Sequence, residues 1–120
     1  NDPYVLNYLA YSWLDRNLNL EKAVKLLEKA VELEPNDGYI IDSLGWAFYL
    51  TGLIDKSIFY LEKAVSMMPN DATLNDHLGD AYWKSGRRKE ASSQWKRVLI
   101  IEPNFKNKEK ILEKLELGIK

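Results

Sequence analysis

The chain has 120 residues, no cysteine and a formal charge of −1, with 46% of its residues hydrophobic. The missing cysteines exclude a disulfide framework and a thiolate metal site and leave the redox compartment open. No apolar stretch reaches membrane-spanning length, and the near-neutral balance argues against a dedicated nucleic-acid binder.

Pro35, Pro69 and Pro103 recur every 34 residues, and most of the sequence between them repeats in register. A period of this length belongs to helical arrays in which each helix pair buries its apolar face only against its neighbours. The first unit, about 3–37, opens with a helix crowded by Tyr4, Tyr8, Tyr11 and Trp13. Its Leu9-Ala10-Tyr11 returns as Leu44-Gly45-Trp46 at an offset one residue longer, and then as Leu78-Gly79-Asp80, so the extra residue lies in the Asn17-Leu18-Asn19 turn. The second helices match at Ala23, Ser57 and Ala91, at Leu27, Leu61 and Trp95, and at Ala30, Ala64 and Val98. The second and third units are expected at about 38–71 and 72–105. Gly45 and Gly79 each cost a helix interior about 1 kcal/mol against Ala, so they are expected to permit close approach of a neighbouring helix. Gly52 and Gly86 mark the interhelix turns, and the prolines with Asn36-Asp37, Asn70-Asp71 and Asn104 read as a helix stop joined to an N-cap.

The stretch after Phe105 reads as a capping helix over about 106–118. Ile111, Leu112 and Leu115 are expected to cover the last repeat, with Lys108, Glu109, Glu113, Lys114 and Glu116 in solvent. The opening Asn1-Asp2-Pro3-Tyr4 echoes Asn36-Asp37-Gly38-Tyr39, which suggests a segment cut at a repeat boundary from a longer protein.

Ile41, Leu44, Gly45, Phe48, Ser57, Leu61, Ala64 and Pro69, with Leu78, Gly79, Tyr82, Ala91, Trp95, Val98 and Pro103, resemble the tetratricopeptide repeat (TPR) family, in wording closest to bacterial members. The departures are Ala10 for Gly, Ser57 for Ala and Asn75 for a large residue. The resemblance implies an all-α, right-handed α-solenoid of three tandem helix-turn-helix repeats plus the C-terminal capping helix. It also implies a concave groove lined by the first helices: Tyr4, Asn7, Tyr8, Tyr11 and Leu14, then Tyr39, Asp42, Ser43, Trp46 and Tyr49, then Thr73, Asp76, His77, Asp80 and Trp83.

Helical spacing supports such a face independently. Asp42, Trp46 and Tyr49 form one i, i+4, i+7 stripe, repeated by Asp76, Asp80 and Trp83, while Leu44, Phe48, Leu78 and Tyr82 point to the core. Aromatic area beside carboxylates favours a basic or neutral peptide with apolar side chains. The competing reading packs some of these aromatics between adjacent first helices. Chaperone-binding TPR members hold a terminal carboxylate with basic first-helix residues, and here the matching positions carry Asn7, Tyr11, Ser43, Thr73 and His77, so that clamp is not expected.

Catalysis has little support, since His77 is the only histidine and no strand-turn-helix elbow presents a nucleophile. No metal is expected at Asp76, His77 and Asp80, because successive helical residues point apart, and no cofactor is implied. Residues 1–83 carry 6 Lys and Arg against 13 Asp and Glu, a net of −7, whereas 84–120 carry 11 against 5, a net of +6. Many of these charges read as solvated helix faces, and the alternative is head-to-tail attraction between copies. Two functions remain: an interaction module binding a peptide or partner helix in the groove, and a structural segment that self-associates end to end.

Overall fold

The computed structural model describes residues 1–119. They form α1 Pro3–Asp15, α2 Leu20–Leu33, α3 Gly38–Leu50, α4 Ile54–Met67, α5 Ala72–Lys84, α6 Arg88–Ile101 and α7 Lys108–Leu117, with no strand among the described residues. No helix is long and apolar enough to cross a membrane.

Local chemistry fixes the ends of the first helices. Asp2, Asp37 and Asp71 N-cap α1, α3 and α5, the Asp37 carboxylate accepting from the amides of Tyr39 and Ile40 at 2.9 and 3.1 Å. At the other end Asn17, Gly52 and Gly86 take positive φ, at 55°, 84° and 89°. The next amide, of Leu18, Leu53 or Arg87, then donates back to the carbonyl of Trp13, Phe48 or Tyr82 at 2.9 Å in each case, a Schellman closure that reverses the chain. In the first unit Asn replaces Gly, and Asn19 takes a second left-handed conformation at φ 49° to absorb the extra residue. The third boundary differs, because Asn104 caps nothing: Phe105 turns inward and is buried, and Asn107 flanks α7 without a side-chain cap.

Within each pair, small meets large. A Cβ on Gly45 would lie 2.8 Å from the Leu61 side chain, and one on Gly79 would lie 2.5 Å from the Trp95 indole nitrogen. Both glycines are places where helix approaches helix more closely than a methyl permits. Ser57 departs from Ala harmlessly, since its Oγ donates to the Gly45 carbonyl at 2.8 Å. Asn75 is fully buried and replaces apolar contact with tethering, donating Nδ2 to the carbonyls of Pro69 and Asp71 at 3.1 and 2.8 Å.

Helix α3 sits in the middle of the stack and buries Ile40, Ile41, Leu44, Ala47 and Phe48. By contrast α1, at one end, leaves Tyr4, Val5, Tyr8 and Leu9 exposed. The first helices touch one another, α1 to α3 and α3 to α5, whereas no comparable contact joins α2 to α4 or α4 to α6 among the described residues. The array therefore curves with its first helices inside. The cap closes the far end with Ile111 fully buried, but Leu112 stays 43% exposed, because no helix among the described residues covers that side of α7.

Gly79→Ala is expected to destabilise the domain by about 1–3 kcal/mol through overpacking against the rigid indole, despite a helix-propensity gain of about 1 kcal/mol. Gly52→Ala, where nothing lies within 4 Å of the added Cβ, should lose only about 1 kcal/mol through its positive φ. Urea melts of the two variants check this, and a Gly79→Ala variant as stable as the parent would contradict it.

Candidate peptide-binding groove

The inner face divides into three stations, one per junction between units. At the middle station, His77 on α5 places Nδ1 3.0 and 3.1 Å from the two carboxylate oxygens of Asp42 on α3. Both side chains are buried. Trp46 stacks on His77 with ring centroids 4.1 Å apart and on Tyr49 at 4.4 Å, so α3 and α5 are joined by a His–Asp hydrogen bond roofed with aromatic rings. Burial pulls the His77 imidazolium down, but the carboxylates of Asp42, Asp76 and Asp80 outweigh it and leave the group above its ordinary value. Burial, then the Asp80 and Asp76 carboxylates, push the Tyr49 phenol up to about 12.

The third station is filled by the cap. Lys114 places Nζ 2.9 Å from both Asp76 Oδ1 and Asp80 Oδ1, and the indole of Trp95 donates to the same Asp80 oxygen at 3.1 Å. Burial and then the Asp76 carboxylate raise Asp80, and Lys114 pulls it back. Lys114 is thus a correction to the solvent-facing assignment. The signal that could have revealed it lay in the sequence, since Lys114 stands 34 residues after Asp80, at the same register on a fourth first helix. Trp83 is covered as well: its Nε1 donates to the Ile119 carbonyl at 2.9 Å, and the Arg88 guanidinium lies 4.4 Å from its ring.

The predicted groove residues therefore separate. Asp42, Ser43, His77 and Asp80 are buried, Asp76, Trp46, Tyr49 and Trp83 are half-buried in the contacts above, and Leu14 belongs to the core. The Ser43 hydroxyl donates to the Tyr39 carbonyl at 3.1 Å. What reaches solvent is the first station and its rim: Tyr8 at 79% exposed, Tyr4, Tyr39 and half-buried Tyr11. Asp42 is paired with His77, and Asp76 and Asp80 share Lys114, so the inner face is less acidic than its sequence. Arg87 is likewise engaged with Glu90, and Arg88 lies over Trp83. No group of three or more His, Asp or Glu able to hold a metal forms among the described residues.

The His77 shift has a definite sign. A group whose folded value lies above its unfolded one contributes stability that is complete below about pH 6.5 and is lost as pH rises through the folded value. Relative to a His77→Gln variant, the parent should lose melting temperature as pH rises above about 6.5. A difference that is flat or rises over that window, followed by circular dichroism, would contradict the charged pair.

The tetratricopeptide repeat profile matches residues 18–37 and 41–71. No curated protein matches the sequence. Among solved structures, MamA superimposes with a TM-score of 0.85 at 22% identity, covering 98% of this chain and 67% of that one. The Yersinia enterocolitica type III secretion translocator chaperone SycD gives 0.84 at 21%, covering 95% and 89%. SycD in complex with a peptide of the translocator YopD gives 0.82 at 20%, covering 94% and 88%. Residues 18–37 and 41–71 carry the tetratricopeptide repeat pattern, and the helix pairing of the described residues agrees with that fold throughout.

Proposed function

We propose that this domain is a protein-interaction module that takes an extended, basic or neutral peptide with apolar side chains on its inner face, entering at the α1/α3 end. The observation that carries this reading is the contrast between stations. The second and third are satisfied by the chain's own His77 and Lys114, while the first leaves Tyr8, Tyr39 and Tyr11 in reach of solvent with no cover from the described residues. Tyrosine at such a place offers large contact area at low entropy cost and a hydroxyl for the ligand backbone. SycD with its YopD peptide is a precedent in the same fold. Catalysis is a poorer use of the face, since its only imidazole is tied to Asp42 beneath Trp46.

A second reading, end-to-end self-association, has its own support in apolar side chains exposed at both ends, Val5 and Leu9 on α1 and Leu112 and Leu117 on α7. Pairing of Lys114 with Asp76 and Asp80 joins the two halves of the chain and removes part of the charge asymmetry that favoured it.

A random peptide library displayed on phage and selected on the domain tests the first reading. Trp46 and Asp42 hold α3 to α5, so the informative variants are the exposed Tyr8→Ser and Tyr39→Ser, with Phe59→Ser on the outer face as control. Selected peptides should lose about tenfold or more in affinity with the tyrosine variants, the loss of a contact of about 1.4 kcal/mol, and none with Phe59→Ser. Binding indifferent to both tyrosines would overturn the reading. Concentration-dependent oligomers abolished by Leu9→Ser, with no peptide selected, would favour self-association instead.

A further inference from the structure

Beyond a general groove, we infer that the first station is a seat for one cationic side chain, a lysine or arginine of the bound peptide. This deepens the groove reading and rests on it.

The seat is the vacancy in an otherwise filled ladder. Asn7, Asp42 and Asp76 occupy equivalent places on successive first helices. The two carboxylates each receive a cation from the following unit, His77 at 3.0 Å from Asp42 and Lys114 at 2.9 Å from Asp76. One period before His77 stands Ser43, which is too short and whose hydroxyl is committed to the Tyr39 carbonyl. The Asn7 Oδ1 is consequently buried with no hydrogen-bond partner. An acceptor left so costs about 1–3 kcal/mol relative to one that is satisfied, and a donor brought by a ligand recovers it.

The space beside it suits a cation in particular. A shallow concavity of about 270 Å³ lies there, lined by Asn7, Tyr11, Tyr39, Asp42, Ser43 and Asp71. Two carboxylates and an amide oxygen surround it, and no Lys or Arg is among its lining residues. The field is felt by the phenols: burial and then the Asp42 carboxylate raise Tyr11, and Asp71 first raises Tyr39. Tyr11 and Tyr39 supply aromatic faces on which an ammonium or guanidinium group gains cation–π attraction. The chain displays the same chemistry at its third station, where Lys114 sits between two carboxylates with Nζ 5.8 Å from the Trp95 ring centroid. A ligand anion would meet the Asp42 and Asp71 carboxylates, of which His77 offsets only the first.

The probes are three short blocked peptides, acetyl-Leu-Lys-Leu-amide and its norleucine and glutamate counterparts, titrated into isotopically labelled domain and followed by two-dimensional NMR. The lysine peptide should shift the Asn7 side-chain amide and the Ser43 backbone amide, bind about tenfold more tightly than the norleucine peptide, and exceed the glutamate peptide further. Asn7→Leu should remove the lysine preference. Asn7→Asp, which adds a carboxylate to the seat, should enlarge it by about tenfold, so the idea stays testable if Asn7→Leu fails to fold. Lysine and norleucine peptides that bind equally well and shift Tyr8 and Tyr39 would overturn the seat while leaving the groove reading intact. If neither perturbs the α1/α3 face, and the phage selection also yields no peptide sensitive to Tyr8 and Tyr39, both fall.

Discussion

Everything on the inner face follows from one steric constraint, the contact between a glycine on the first helix of a unit and a large side chain on the second. At Gly79 the Trp95 indole comes so near that a Cβ would stand 2.5 Å from its nitrogen. That approach aims the indole N–H at Asp80, and it leaves the opposite side of the first helix free for the next unit. Because the first helices then meet one another more extensively than the second helices do among the described residues, the polar residues of α3 and α5 are drawn together on the inside of the curve.

Drawing carboxylates together on a partly buried surface is unfavourable unless charge is returned to them. The chain returns it from the following unit at each junction where it can. His77 meets Asp42 beneath the Trp46 ring, and Lys114 reaches back from the cap to Asp76 and Asp80. These contacts serve as seams between units and use up the binding potential of the residues that form them. The first junction has an amide where the others have a carboxylate, and a serine where the next has histidine. It is left open, and the pairing that closes the other two stations is missing there.

The period, the helix pairs, the two tight glycines and the turn glycines are legible in the sequence because each is a one-dimensional signal at a fixed spacing. The stripe Asp42, Trp46 and Tyr49 was legible as a face for the same reason. Its burial was not, since whether an aspartate faces solvent depends on what lies one helix away, and the stripe carries no information about His77 or Lys114 as partners. Lys114 was within reach had the register been continued one period past Asp80. Leu112 misled because an apolar residue on a capping helix is covered only if a further helix exists to cover it. Leu14 shares its register with Tyr49 and Trp83, yet it packs with Ala10, Leu27 and Leu44 in the core, so register alone did not separate lining from filling.

The most direct measurement is a double-mutant cycle on Asp76 and Lys114, using Asp76→Asn, Lys114→Met and the pair, with stability read from urea unfolding. If the following unit supplies the charge that holds the inner face together, the two substitutions should couple by about 1 kcal/mol or more, as expected for a charge-assisted bond with limited solvent access. Additive effects, with coupling indistinguishable from zero, would mean that the ladder is a surface decoration. They would contradict the account of how this face is closed and why its first station is open.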